Sequence, residues 1–188
     1  MFKLSVIGEH EPPRDSHEHK MWKRVDPIAL LRSTFANQQR SRHWRIAHGA
    51  KKAFQAAAVN SAKCVGDKID GPAFLAIATC LNRCDLDAPL KSLIDSTQEL
   101  ALASGNDKDI ASISVIPFKP QRGNSNKANI KPGYVAWFFD VETEFAQFIT
   151  HVEHLLFLWK NSQNPYEENL KRRDESTNQN SAQIRLIS

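Results

Sequence analysis

The residues best suited to chemistry are the cations of one stretch that contains no acid. Residues 32–52, RSTFANQQRSRHWRIAHGAKK, carry six Lys and Arg side chains and no carboxylate. Such cations bind phosphate groups, and each neutralised phosphate releases counterions, so the binding weakens as salt rises. Over residues 20–63 there are ten Lys and Arg against one acid, a net charge of +9. Charge segregated in this way is the usual sequence signature of a polyanionic partner.

A second basic segment lies between two apolar stretches. Residues 119–133, KPQRGNSNKANIKPG, form a long polar stretch, and loops of such length in compact domains are usually functional or disordered. Residues 110–141 hold four bases against one acid, a net charge of +3. We expect the two basic segments to converge into one surface that binds DNA or RNA. The predicted contact residues are Arg40, Arg42, Arg45, Lys51, Lys52, Lys119, Arg122, Lys127 and Lys131.

The first basic segment should display its cations from a helix. Apolar spacing predicts a helix over residues 42–62, and on a helical wheel its apolar residues cluster on one side. Arg42, Arg45 and Lys52 lie nearly opposite that side. Gly49 lies between them and would let a sugar-phosphate strand approach closely. The pattern therefore predicts a cationic face for backbone contacts, with little sequence specificity.

A histidine-rich segment offers a different chemistry. EHEPPRDSHEHK, residues 9–20, contains three candidate metal ligands, His10, His17 and His19, interspersed with acids. Imidazole nitrogens are common ligands of Zn²⁺ and Mn²⁺, which would make a metal-dependent hydrolase conceivable. The spacing matches neither a zinc-site nor a nuclease pattern, however, and Pro12-Pro13 indicates a loop. We favour a polar loop and expect no cofactor.

The cysteines predict the compartment rather than a site. Cys64, Cys80 and Cys84 are an odd number and fall in segments whose spacing suggests helices, which favours buried, reduced thiols over a disulfide framework. The first twenty residues lack the basic start and apolar stretch of a secretory signal. No apolar run approaches the ~20 residues of a membrane span. We expect a cytoplasmic protein without a membrane partner.

The elements that would position these residues are predicted from periodicity and capping signals. Alternation over residues 2–8 predicts a strand, and β-branched and aromatic runs at 110–118 and 134–142 predict two more. Predicted helices begin at Asp26, at Arg42, at Asp70 and at Asp87, with a turn or kink at 37–41 between the first two. The helices that begin at Asp70 and Asp87 should form an antiparallel pair. A strongly amphipathic helix is predicted over residues 143–161.

The predicted fold class is α+β. We expect a mostly helical single domain over residues 1–164 with a small antiparallel sheet, a hairpin around residues 110–142, followed by a mobile polar tail over residues 165–188. The parts of this domain would be a strand and loop (1–25), helices (26–105), the hairpin (110–142) and a last helix (143–161).

The leading functional hypothesis is a non-catalytic nucleic-acid-binding protein, an accessory subunit of a nucleoprotein complex. It would clamp a phosphate backbone between the basic helix and the basic hairpin loop. The alternative is a subunit that docks an acidic protein partner through the same charges. A metal-dependent hydrolase built on the histidine-rich segment is the third hypothesis. The chain contains no Gly-rich phosphate loop and no nucleophile elbow, which disfavours an enzyme.

Overall fold

The computed structural model describes residues 1–9, 11–40, 44–81, 90–118, 132–161 and 163, and for residues 35–40, 44 and 47 it describes the backbone alone. These residues form an α+β fold of five α-helices and a five-stranded mixed sheet. The strands are β1 (Phe2–Ile7), β2 (Lys63–Val65), β3 (Ala73–Cys80), β4 (Ile110–Pro117) and β5 (Gly133–Asp140). The helices are α1 (His17–Val25), α2 (Pro27–Arg40), α3 (Trp44–Ser61), α4 (Leu90–Ala101) and α5 (Phe145–Lys160).

The sheet has the strand order β2-β1-β5-β3-β4. β3 and β4 run parallel, whereas β1 pairs antiparallel with β2 and β5, and β5 pairs antiparallel with β3. The prediction of a small antiparallel hairpin around residues 110–142 is therefore wrong. β4 and β5 each pair with β3, which lies between them, and the sheet is larger than a hairpin.

β3 was predicted as a helix, and that prediction is also wrong. Its sequence AFLAIATC forms an interior strand between β5 and β4, and seven of its eight residues are buried while Phe74 is partly buried. A strand that is covered on both faces reads as a continuous apolar run, which periodicity alone cannot distinguish from a buried helix. The predicted antiparallel pair of helices therefore does not exist, and of the two only α4 is present.

Helices cover both faces of the sheet. Buried side chains of α2, α3 and α4, including Ile28, Phe54 and Leu93, pack on one face. Phe148 and Leu155 of α5 pack on the other. The fold is thus a three-layer arrangement, and each layer buries an apolar face against the central sheet.

Local capping signals explain where two of the helices begin. Asp26 caps α2, because its Oδ1 accepts hydrogen bonds from the backbone N–H groups of Ile28 and Ala29, each at 2.9 Å. Ser16 caps α1 by accepting from the backbone N–H of His19. The start predicted at Asp26 is confirmed. The predicted loop over residues 9–20, by contrast, is wrong from His17 onward, where α1 begins.

The remaining predictions on organisation fall partly outside the described residues. The predicted loop cations at 119–131 and the predicted tail at 165–188 lie outside them, as does Cys84. Within the described ranges, none of the helices combines the length and the apolar character that a membrane crossing requires.

Candidate nucleic-acid interface

The outer face of α3 carries two of the predicted cations. Arg45 and Lys52 are both exposed, whereas Phe54 and Ala58 are buried against the sheet. At 100° per residue, Arg45 and Lys52 lie nearly opposite Phe54, as the wheel predicted. They are seven residues apart, which is about 10 Å along a helix that rises 1.5 Å per residue. They therefore form one ridge on the side of α3 that faces away from the sheet.

Gly49 opens a gap in the middle of this ridge. A Cβ atom at Gly49 would meet no other atom within 4 Å, so packing does not require a glycine here. Glycine inside a helix costs stability relative to alanine. The missing side chain leaves the helix backbone between Arg45 and Lys52 open to a ligand.

The electrostatic setting of the ridge follows from the absence of acids nearby in the chain. No Asp or Glu occurs from residue 27 to residue 66, a stretch that includes both α2 and α3. The two helices pack against each other, so neither brings a carboxylate to the other. The positive potential of the ridge is therefore not offset by acids on α3 itself or on α2.

Lys51 differs from its neighbour Lys52. Its Nζ forms an ion pair with Oδ2 of Asp95 on α4, and the two side chains are 30% and 13% exposed. This pair balances the charge of Lys51 within the fold and ties α3 to α4. Lys51 was among the predicted contact residues, but the structure places it on a helix-to-helix contact rather than on the outer ridge.

The other predicted cations are placed only in part. Arg40 is the last residue of α2, and its side chain is outside the described residues. The remaining predicted contact residues are wholly outside them, namely Arg42, Lys119, Arg122, Lys127 and Lys131.

The described residues on either side of the predicted basic loop, Phe118 and Pro132, lie far from Arg45. The backbone N–H of Phe118 donates to the carbonyl of Thr79, and the N–H of Gly8 donates to the carbonyl of Pro132. Both hydrogen bonds lie at the end of the sheet where α2 begins, since the backbone N–H of Glu9, next to Gly8, donates to Asp26 at the start of α2. Arg45 follows the other end of α2, about 20 Å further along a fourteen-residue helix. Convergence of the two basic segments stays a prediction.

The histidine candidates separate in the structure. His17 is exposed and His19 is 4% exposed, stacked on Trp22 with ring centroids 5.4 Å apart. Residues two apart on a helix point about 200° from each other, so His17 and His19 cannot share a metal ion. His10 is outside the described residues. Across the described part of the chain, no three His, Cys, Asp or Glu side chains are placed to hold a metal.

The described thiols also show no shared site. Cys64 is exposed on β2, whereas Cys80 is buried on β3, three strands away in the sheet. Burial raises the pKa of Cys80 to about 11. At neutral pH that thiol stays protonated, and only the thiolate is reactive. Cys80 therefore acts as a small apolar core residue.

An acidic turn between β5 and α5 has a structural role. Asp140 accepts hydrogen bonds from the backbone N–H groups of Thr143 and Glu142 and from the Thr143 hydroxyl. These bonds, chiefly those from Thr143, hold the pKa of Asp140 below its usual value. Glu144 accepts from the N–H of Asp140 and pairs with the amino terminus at Met1. Both carboxylates are thus engaged in closing the turn.

His151 of α5 packs its imidazole ring against aromatic side chains of the sheet. Its ring lies 4.4 Å from that of Trp137 and 5.5 Å from that of Phe139, centroid to centroid. Burial, with smaller contributions from His154 and Lys3, lowers the pKa of His151 to about 4. His151 is therefore neutral at physiological pH and packs as an aromatic ring.

Comparison with protein-family models, with curated proteins and with solved structures found no match for this chain.

Proposed function

We propose that the protein binds nucleic acid without catalysis, as an accessory subunit of a nucleoprotein complex, and that the outer ridge of α3 holds the phosphate backbone. The observation that supports this most directly is the exposure of Arg45 and Lys52 on one face of a helix. The acid-free sequence around them and the gap at Gly49 add to it. Two cations about 10 Å apart on a rigid helix can each contact a phosphate of the same strand.

A cytoplasmic location is part of the proposal. It is supported by the free thiols of Cys64 and Cys80, which are usual in a reducing compartment.

The proposal is tested by fluorescence polarisation at low salt with labelled single- and double-stranded DNA and RNA. We expect the unaltered protein to bind, and the affinity to fall with salt. The slope of log K against log[salt] is about −0.9 for each phosphate contacted in duplex DNA and about −0.7 in single strands. The double variant in which Arg45 and Lys52 are both replaced by Ala should bind about tenfold more weakly or worse. The magnitude of its salt slope should be smaller by about 1–2, because up to two phosphate contacts are lost.

Lys160→Ala is the control for the loss of a single positive charge elsewhere on the surface. Lys160 is exposed at the end of α5, on the far face of the sheet, so its loss changes the net charge without touching the ridge. Binding weakened equally by Lys160→Ala would indicate a diffuse effect of net charge. If none of the four nucleic acids bound at low salt, the proposal would be rejected in favour of an acidic protein partner.

A further inference from the structure

One flank of α5 exposes large apolar side chains that the described part of the chain does not cover. Phe145, Ile149, Leu156 and Trp159 are 41–56% exposed. Their spacing of four, seven and three residues places them on one side of the helix. We call these four residues the α5 flank. Single exposed apolar residues are ordinary, but a continuous row marks an interaction surface.

The α5 flank faces the β4 edge of the sheet. Phe148, at the centre of the buried side of α5, stacks on Phe74 of β3 with ring centroids 4.9 Å apart. Phe145 of the flank also contacts Phe74, whereas His151, on the other side of Phe148, contacts Trp137 of β5. Because β3 lies between β5 and β4, the side of α5 that is away from His151 points toward β4.

β4 is an unusual edge strand. Among the described strands it pairs with β3 alone, and its eight residues, IASISVIP, contain no charge. A β-bulge at Ala111 interrupts its start, and Ser112 to Pro117 are regular. The opposite edge strand, β2, is only three residues long and carries the exposed Lys63. Short strands and lysines protect sheet edges from pairing, and β4 has neither. Its bulge at Ala111 and its terminal Pro117 limit the edge that can pair to Ser112–Ile116.

We propose that β4 is the interface between two copies of this chain, with the two β4 strands paired antiparallel and the two α5 flanks packed together beside them. The edge of a strand is complementary to itself when the second strand runs antiparallel, so one patch serves both copies. An uncharged strand also meets its own copy without like-charge repulsion.

The expected distance between the two α5 helices supports a second copy of the chain as the partner at this interface. A twofold axis perpendicular to the sheet pairs the β4 strands and places both α5 helices on the same face. α5 packs on β3, β4 and β5 and is centred on β3. The two helix axes would be three strand spacings apart, about 14 Å at 4.7–4.9 Å each. Helices with side chains are about 10–12 Å wide, so large side chains on the facing flanks fill the gap. A lone strand from another protein would leave the α5 flank exposed.

Sedimentation equilibrium of the full chain at tens of micromolar tests this inference. We expect a dimer for the unaltered protein. Leu156→Glu on the α5 flank and Ser112→Lys on β4 each place charges into the proposed interface. Both residues are exposed, so the fold should tolerate the changes, which far-UV circular dichroism checks. Each variant should raise the dimer dissociation constant at least about tenfold.

Val65→Lys is the control, because Val65 is 67% exposed on the opposite edge of the sheet. It should leave the dissociation constant unchanged. A monomeric unaltered protein overturns the inference, and slow hydrogen exchange of the β4 amides in that monomer would show that another part of the chain covers the edge. A dimer that survives both Leu156→Glu and Ser112→Lys also overturns it. None of these outcomes bears on the nucleic-acid proposal, which rests on the other face of the sheet.

Discussion

Lys51 of α3 and Asp95 of α4 form an ion pair in which both side chains are largely withdrawn from solvent. The next residue, Lys52, is exposed on the outer ridge of the same helix. Two adjacent lysines thus have separable roles, one in stability and one in the proposed binding.

Lys51→Ala should lower the free energy of unfolding by about 1–2 kcal/mol, because it leaves the carboxylate of Asp95 partly buried without its partner. Lys52→Ala should change stability by less than about 0.5 kcal/mol, as exposed substitutions usually do. Urea denaturation measures both. In the binding assay the order should reverse, with Lys52→Ala the weaker binder. Equal loss of binding in the two variants would contradict the assignment of Lys51 to a structural contact.

Gly49→Ala should raise the free energy of unfolding by about 0.5–1 kcal/mol, since alanine is the better helix former and its Cβ meets nothing within 4 Å. Thermal and urea unfolding check this. Gly133→Ala is the opposite case, because a Cβ there would lie 2.6 Å from the carbonyl oxygen of Val6. It should destabilise the protein. A destabilising Gly49→Ala would show that the gap in the ridge has a packing role after all.

His151 should make stability depend on pH in a defined window. Its pKa is lowered to about 4 in the folded protein, against about 6.5 when unfolded, so the unfolded state takes up the proton first as pH falls. The stabilising effect of its neutral form is fully present above pH 6.5 and is lost between about pH 6.5 and 4. Because the ring of His151 is partly exposed and solvent screens its charge, we expect the free energy of unfolding to fall by about 1–2 kcal/mol over this window.

His151→Gln removes that titration. Urea unfolding at a series of pH values should show a flatter profile between pH 6.5 and 4 than the unaltered protein gives. Lys3 and His154 are present in both proteins, so the difference between the two profiles reports the titration of His151 together with its coupling to them. Asp140 also stabilises the folded protein, because its pKa is lowered below the ordinary value of 3.8. That stabilisation is lost only at a lower pH than the window of His151, so it does not obscure the comparison. An unchanged slope in His151→Gln would mean that the ring is solvated in solution.

Asp26→Ala should cost about 2 kcal/mol of stability, at the upper end of the range for helix caps. Its carboxylate accepts two N–H groups of α2, and its Oδ2 also accepts the N–H of Glu9 at 2.6 Å. Asp26→Asn should recover much of the loss, because an amide oxygen can still cap the helix. Asp15→Ala is the control, because it removes an exposed carboxylate from the turn that precedes α1. A loss as large in Asp15→Ala would point to net charge rather than capping.

Local features were predictable because their causes are local. The start of α2 at Asp26 follows from a cap and a proline within two residues. The position of Arg45 and Lys52 on the side of α3 opposite Phe54 follows from helical periodicity alone. The strands at 110–117 and 133–140 were recognisable from their β-branched and aromatic residues. The α3 ridge was therefore accessible from the sequence, apart from Lys51, whose partner Asp95 lies forty-four residues away.

The amino-acid sequence by itself determined which segments are apolar, where α2 is capped and which face of α3 is cationic. Only the tertiary structure decided that Ala73–Cys80 is the strand between β4 and β5 rather than a helix. Its residues fit either state, and the choice depends on partners far away in the chain, on two neighbouring strands and on helix layers above and below. Burial on both faces removes the alternation that would otherwise have identified it as a strand.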